Sequence, residues 1–141
     1  MANERTLFQK LARLRLDEAK LLAQHHNPSG AYYLAGYSIE CALKAIIAGQ
    51  FRANEIPDKG LVNDVYSHEL PKLLRLAGLE AQLNAAFQAD SQLERRWSII
   101  KNWNEQARYR TWSQEQATAM IEAIDGDGRT EGLFQWLTAR W

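Results

Sequence analysis

The fold is decided by residues 27–48, NPSGAYYLAGYSIECALKAIIA, whose helical pattern is apolar on almost every side. A helix of this kind is typical of the buried centre of a bundle, where neighbouring helices cover all of its faces. Glu40 and Lys44 interrupt it with opposite charges, and their spacing of four residues places them on the same face. Because an unpaired buried charge is costly, we expect Glu40 to lie near His68 or Arg108 and this face to border a polar cleft.

The composition indicates one compact domain covering residues 1–141, since the chain is 46% hydrophobic and short for two cores. Seventeen basic residues balance seventeen acidic ones, so any binding of nucleic acid must depend on a local patch. A single cysteine and an N-terminus without an apolar core of signal-peptide type favour the cytoplasm. The longest apolar run is well below the roughly 18 residues typical of a membrane span.

Helical spacing of apolar residues predicts a first helix over residues 3–24, which Pro28 brings to an end. Ser29 is the predicted N-cap of the second helix, which we expect to run to about residue 51. A loop carrying Pro57 and several polar residues follows, and we expect it to be mobile.

The next helical patterns are shorter. Ser67 is a predicted N-cap for a third helix over residues 69–77, and Gly78 occupies the position that commonly follows a helix end. Residues 80–101 are also helical in pattern, and the pattern leaves open whether they form one helix or two.

The C-terminal part begins with a capping box, Ser113 with Gln116, that predicts a helix through Ile124. The helical pattern continues over residues 133–141 after the sequence DGDG at 125–128, where glycines favour a bend or a break. We therefore expect an all-α, antiparallel up-and-down bundle of about five helices, with residues 27–48 at its centre.

Metal chemistry finds little support in the sequence. The DGDG segment lacks calcium ligands at the fifth and twelfth loop positions, where Arg129 and Trp136 stand. His25 and His26 point in different directions on a helix and have no companion cluster, so a solvated helix end is expected. Cys41 lies within the apolar helix and is expected to be an inert core residue. No metal and no cofactor are predicted.

His68 admits two interpretations. It follows the predicted cap Ser67, where an imidazole can reach polar groups of another helix and transfer a proton near neutral pH. A histidine in the first turn of a helix also commonly satisfies a backbone carbonyl, and we favour this second interpretation.

The segment from Trp103 to Trp112 carries Arg108, Tyr109 and Arg110. Planar cations between aromatic rings can bind phosphates and stack on bases, as in proteins that bind single strands. The alternative is a turn between helices in which Arg108 pairs with a buried acid such as Glu40, and both interpretations stay open. The pair Arg95-Arg96 is expected to be a solvated helix face.

Three motifs in order, ECALKA at 40–45, SHELPKLL at 67–74, and Trp103 through Arg108-Tyr109, resemble the HEPN domain family. The resemblance extends over nearly the whole chain. It implies an antiparallel helical bundle that commonly forms a homodimer and often acts beside a minimal nucleotidyltransferase in toxin–antitoxin or defence loci. Many members are metal-independent ribonucleases whose dimer cleft presents an arginine and a histidine separated by four to six residues.

This sequence departs from the ribonuclease pattern. No arginine precedes a histidine at that interval, and if Tyr109 is aligned with the family's tyrosine, Asn102 and Ala107 occupy the two catalytic places. A phosphate can be bound by one positioned cation, whereas cleavage also needs a proton acceptor. Whether the chain has any enzyme activity is left open.

We interpret the protein as a binding or partner module of a two-component system, with a nucleotide or RNA phosphate as ligand. In the alternatives it is a divergent ribonuclease with a composite His68/Arg108 site, or a purely structural dimerising protein. Five tryptophans favour self-association, because aromatic residues are enriched at interfaces. The predicted binding site consists of Glu40, Lys44, His68, Trp103, Arg108 and Tyr109, and His68 is the one candidate catalytic residue.

Overall fold

A computed structural model describes residues 2–141, with side chains from residue 4 onward. Within that range the chain is all-helical, which confirms the predicted bundle, although short helices and breaks raise the number of elements above five. The helices are α1 Ala2–Gln24, α2 Pro28–Ala48, α3 Lys59–Val65, α4 Leu70–Leu76, α5 Glu80–Ala89, α6 Ser91–Ile100, a 3₁₀ helix Glu105–Tyr109, α7 Gln114–Asp125 and α8 Leu133–Thr138.

The central position predicted for α2 is confirmed. It packs along α1, which runs antiparallel to it, and it also contacts α4, α7, α8 and the 3₁₀ helix. Its apolar side chains Ile39, Leu43 and Ile47 are fully buried in the main hydrophobic cluster. Every residue from Ser38 to Ala48 is buried, so a polar group in this part of α2 meets other protein groups rather than open solvent.

The ends of α2 differ from the prediction. Asn27 is the N-cap residue and Pro28 the first helical residue, where its fixed φ and missing N–H do no harm. Ser29 is therefore already inside the helix, and its Oγ accepts a hydrogen bond from the backbone N–H of Trp112 at 2.9 Å. The helix ends at Ala48, before the predicted residue 51.

The segment predicted to be a mobile loop contains α3, which sequence periodicity missed because it is only two turns long. Its N-cap is Asp58, whose carboxylate accepts a hydrogen bond from the N–H of Leu61 at 3.0 Å.

The N-cap of α4 is Glu69 rather than Ser67. The Oγ of Ser67 accepts a hydrogen bond from the N–H of Glu69 at 3.1 Å. Gly78 follows α4 with φ +75°, as its predicted position requires.

Residues 80–101 form two helices because the helical pattern is interrupted at Asp90. Its carboxylate accepts hydrogen bonds from the N–H groups of Gln92 and Leu93, both at 3.1 Å, and so begins α6. The capping box of Ser113 and Gln116 at the start of α7 is confirmed.

The DGDG segment breaks the C-terminal helical pattern rather than bending it. Gly126 has φ +83° and ends α7, and α8 begins after Gly132. Asp127 holds the connecting loop, because its Oδ1 accepts hydrogen bonds from the N–H groups of Arg129 at 2.9 Å and Thr130 at 2.7 Å. These bonds hold the pKa of Asp127 down to about 2. Among the described residues, no group of three or more potential metal ligands occurs.

The expectation that Arg96 lies on a solvated helix face is wrong. Its side chain is buried, donates to the backbone carbonyl of Glu131, and donates to the Oγ1 of Thr130 at 2.8 Å. Its neighbour Arg95 is exposed, as expected. The difference arises because the loop after α7 folds back over one side of α6. This brings Glu131, 35 residues after Arg96 in the sequence, into contact with the arginine.

The tryptophans are accommodated within one chain more fully than expected. Trp103 is buried, and the other four are half-buried against the core. Trp112 stacks on Tyr32 with ring centroids 3.7 Å apart. The described structure therefore presents no exposed tryptophan face of the kind that favoured self-association.

Candidate functional site

The polar centre of the site is a buried carboxylate with two partners. Glu40 is 2% exposed, and its Oε1 lies 2.8 Å from the Nδ1 of His68, while its Oε2 accepts from the Nζ of Lys44 at 3.3 Å. This confirms that Glu40 and Lys44 share a face and that His68 is close to it. Two partners on separate oxygens compensate the cost of burying the carboxylate.

The fold positions His68 through the start of α4. The helix is anchored by Leu70 and Leu73, which are fully buried against α2, and Pro71 stabilises its first turn. This places His68, two residues before Leu70, over Glu40. The favoured interpretation, in which His68 satisfies a backbone carbonyl, is therefore wrong: its partner is a carboxylate on another helix.

The contact fixes the chemistry of the imidazole. A carboxylate accepts hydrogen bonds, so Nδ1 of His68 carries the proton and Nε2 is free to accept one in the neutral ring. The side chain is 41% exposed, and no described residue bonds to Nε2. His68 can thus accept or donate a proton, or hold a ligand, on the side away from Glu40.

Trp103 forms the floor beside this centre. It is almost fully buried, and its indole lies against Gly36 of α2, where an added Cβ would overlap the ring. Tyr33 and Tyr37, one helical turn apart on α2, border the indole with ring centroids 5.8 and 6.4 Å away. Gly36 is needed here for close approach, not for an unusual backbone conformation.

Arg108 lies on this aromatic cluster. Its guanidinium is 5.2 Å from the ring centroid of Tyr109 and 6.0 Å from that of Tyr33. The side chain is exposed and forms no ion pair with another residue in the described range. The alternative in which Arg108 pairs with Glu40 is therefore wrong, because Lys44 and His68 already occupy both carboxylate oxygens.

Tyr33 connects the two parts of the site. Burial raises its pKa above the usual value; the neighbouring Arg108 opposes this shift, and Glu40 adds to it. Burial also raises the pKa of Tyr37, with Glu40 acting in the same direction. Both phenols consequently stay neutral at physiological pH, with an O–H that can donate to an anion.

A cleft of about 290 Å³ is lined in part by Trp103. Its charged lining consists of Lys72 and Arg75 from α4, Lys101 from the end of α6, and Glu69. Two of these cations are paired with acids, since Lys72 lies 3.3 Å from Asp64 and Arg75 lies 3.8 Å from Glu80. Lys101 is the cation of the cleft that has no ion pair among residues 4–141.

The structure thus brings the predicted residues together in two groups. Glu40, Lys44 and His68 are in direct contact, while Trp103, Arg108 and Tyr109 are linked through Tyr33. His68 and Arg108 do not contact each other. Sequence reasoning missed Tyr33, Tyr37 and the cations of the cleft; the tyrosines were detectable as aromatic residues one turn apart on α2, but nothing in the sequence joined Lys101 to α4.

Cys41, next to Glu40 in sequence, faces the core and takes no part in the site. It is 1% exposed, and burial raises the pKa of its thiol to about 12. A thiolate is therefore scarce at neutral pH, as expected of an inert core residue.

Comparisons with protein families, with curated proteins and with solved structures found no match. Over residues 2–141, no helix combines the length and the apolar character needed to cross a bilayer.

Proposed function

We propose that the protein is a HEPN-like binding and partner module that holds the phosphate of a nucleotide or RNA at Arg108. One observation carries this proposal: Glu40 is fully engaged by Lys44 and His68, so Arg108 is left as an exposed cation on two tyrosine rings. A guanidinium with no carboxylate partner can form two parallel hydrogen bonds to a phosphate.

The rings beside Arg108 supply the second part of a nucleotide site. Tyr109 is largely exposed and Tyr33 is half-buried, so each can offer a ring face to a base. Stacking of a base on an aromatic side chain is worth about 1–3 kcal/mol. Trp103 was predicted to stack as well, but it is buried beneath the tyrosines and supports them instead.

The cleft beside Trp103 supports the same ligand class through one cation. Lys101 has no ion pair among residues 4–141 and can attract a phosphate, whereas Lys72 and Arg75 are paired with Asp64 and Glu80. A purely structural role accounts for the buried pair of Glu40 and Lys44, but it does not account for the exposed Arg108 or for this cleft.

The proposed partners rest on the motif resemblance. They are a second copy of this chain and a nucleotidyltransferase-like protein, in a toxin–antitoxin or defence system of the cytoplasm. A short nucleotidyltransferase gene beside this one, whose product co-purifies with the protein, would support the two-component proposal. A neighbouring gene of unrelated type whose product does not bind would count against it.

The binding proposal is tested by fluorescence anisotropy with a labelled, 5′-phosphorylated RNA oligonucleotide. Arg108→Gln should weaken binding at least tenfold, whereas the matched control Arg110→Gln, which removes the same charge two residues away, should leave it nearly unchanged. Equal losses in both variants would indicate nonspecific charge attraction, and no loss in Arg108→Gln would remove the proposed phosphate site.

A second candidate function, RNA cleavage, is favoured by the contact between His68 and Glu40. A buried carboxylate that orients an imidazole and leaves Nε2 free is the arrangement expected of a general base. Incubation with mixed RNA substrates in the presence of a chelator separates the two functions. Cleavage that is lost in both His68→Ala and Arg108→Ala would favour the enzyme; binding of intact RNA favours the binding module.

A further inference from the structure

The outer face of α1 carries a stripe of exposed leucines that no described part of the chain covers. Leu7, Leu14 and Leu21 have 51%, 40% and 57% of their surface exposed. They recur every seven residues, so each is rotated by only about 20° from the one before and the three form one stripe. Large apolar side chains aligned in water on one helix face are typical of a surface that packs against a partner.

The charges beside this leucine stripe favour one orientation of a partner helix. Lys10 and Asp17 lie along the same edge of the stripe, and both are exposed. Neither belongs to an ion pair formed among residues 4–141. In a parallel, in-register pair of α1 helices related by a two-fold axis, the edge with Lys10 and Asp17 lies on opposite sides of the contact in the two copies, so these residues do not meet.

An antiparallel copy centred on Leu14 gives the opposite result. Leu7 then faces Leu21 of the second copy, and Lys10 lies beside Asp17 of the second copy. Two-fold symmetry repeats both contacts, as an isologous interface requires. The stripe and this charged edge are thus complementary to themselves in the antiparallel orientation.

We propose that the leucine stripe of α1 is a homodimer interface, on which a second copy of this chain docks antiparallel with two Lys10–Asp17 pairs at its edge. This inference rests on the self-association in the proposed function, not on ligand binding. Arg108 packs over Tyr33 of α2 and takes no part in the stripe.

Sedimentation equilibrium tests the interface directly. The wild type should show twice the chain mass of 16.1 kDa, and Leu14→Glu should return the mass of one chain with an unchanged circular dichroism spectrum. Ile56→Glu is the matched control, because Ile56 is a large apolar residue that is 97% exposed outside the stripe. A monomeric wild type, or a Leu14→Glu variant that remains a dimer, would overturn the proposal.

Charge reversal tests the orientation. Lys10→Glu and Asp17→Lys should each weaken the dimer several-fold, and the double variant should return to the wild-type dissociation constant because both pairs are restored with reversed sign. A double variant weaker than either single one would overturn the antiparallel arrangement. Loss of the dimer in Leu14→Glu with RNA binding retained separates this interface from the site at Arg108.

Discussion

Glu40 and His68 join the centre of α2 to the start of α4 through a contact of 2.8 Å between Oε1 and Nδ1. With Lys44 on the other oxygen, the carboxylate has a partner on its own helix and one from outside it. This arrangement leaves Arg108 available to a ligand, and it orients an imidazole whose other nitrogen faces away from the carboxylate.

Glu40 and Lys44 should stabilise the fold only as a pair. Glu40→Ala should destabilise the fold by about 3 kcal/mol, because Lys44 would stay buried without its counter-charge. The double variant Glu40→Leu with Lys44→Met replaces both charges by apolar groups of similar size and should recover most of this loss. Urea denaturation measures both; a double variant as unstable as Glu40→Ala would show that the lysine is not what makes the single change costly.

Gly36→Ala tests the approach of α2 to Trp103. The added methyl group would overlap the indole, so Trp103 must move out of its place under Tyr33 and Tyr37. The expected loss of stability is about 1–3 kcal/mol, with a shift in tryptophan emission. Gly78→Asn, at a position with open space beside it and a φ that asparagine tolerates, serves as the control. Emission and stability unchanged in Gly36→Ala would contradict the described packing.

The pKa of Asp127 predicts a pH dependence of stability. A pKa lowered from 3.8 to about 2 means that the ionised carboxylate stabilises the folded loop above pH 3.8, and that this contribution is lost as the pH falls toward 2. Asp127→Ala should therefore melt below the wild type at neutral pH, and the difference should shrink between these two values. A difference in melting temperature that stays constant through acid pH would contradict the hydrogen bonds to Arg129 and Thr130.

Cys41 should resist thiol reagents. Burial raises the pKa of its thiol to about 12, so the thiolate is scarce and covered. At about pH 8, where a free cysteine reacts readily, the folded protein should react with a disulfide reagent far more slowly than the denatured chain. Equal rates would show that α2 opens or that the residue is exposed.

Sequence reasoning reached the parts of this structure that depend on local chemistry. The apolar pattern of α2 and the capping box at Ser113 are both readable within a few residues, and both are confirmed. The pairing of Glu40 and Lys44 follows from helical spacing alone.

The features that were mispredicted or missed depend on contacts between distant segments. Arg96 is buried only because a loop 35 residues later folds over it, and Lys101 joins Lys72 only through the packing of α6 near α4. Glu40 was expected near His68 or Arg108, but the interpretation favoured for His68 gave it a backbone carbonyl as partner, because the carboxylate it meets lies 28 residues away. A local sequence pattern does not show which residues far apart in the chain meet in the fold.

The most direct test of a phosphate site at Arg108 is a titration followed by NMR of the arginine side-chain N–H groups. Adenosine 5′-monophosphate should shift the Nε resonance of Arg108, and added salt should weaken its binding. Adenosine, which can only stack on Tyr33 and Tyr109, should shift this resonance far less. Equal shifts with both ligands, or a phosphate-dependent shift at Arg110 and none at Arg108, would contradict the account.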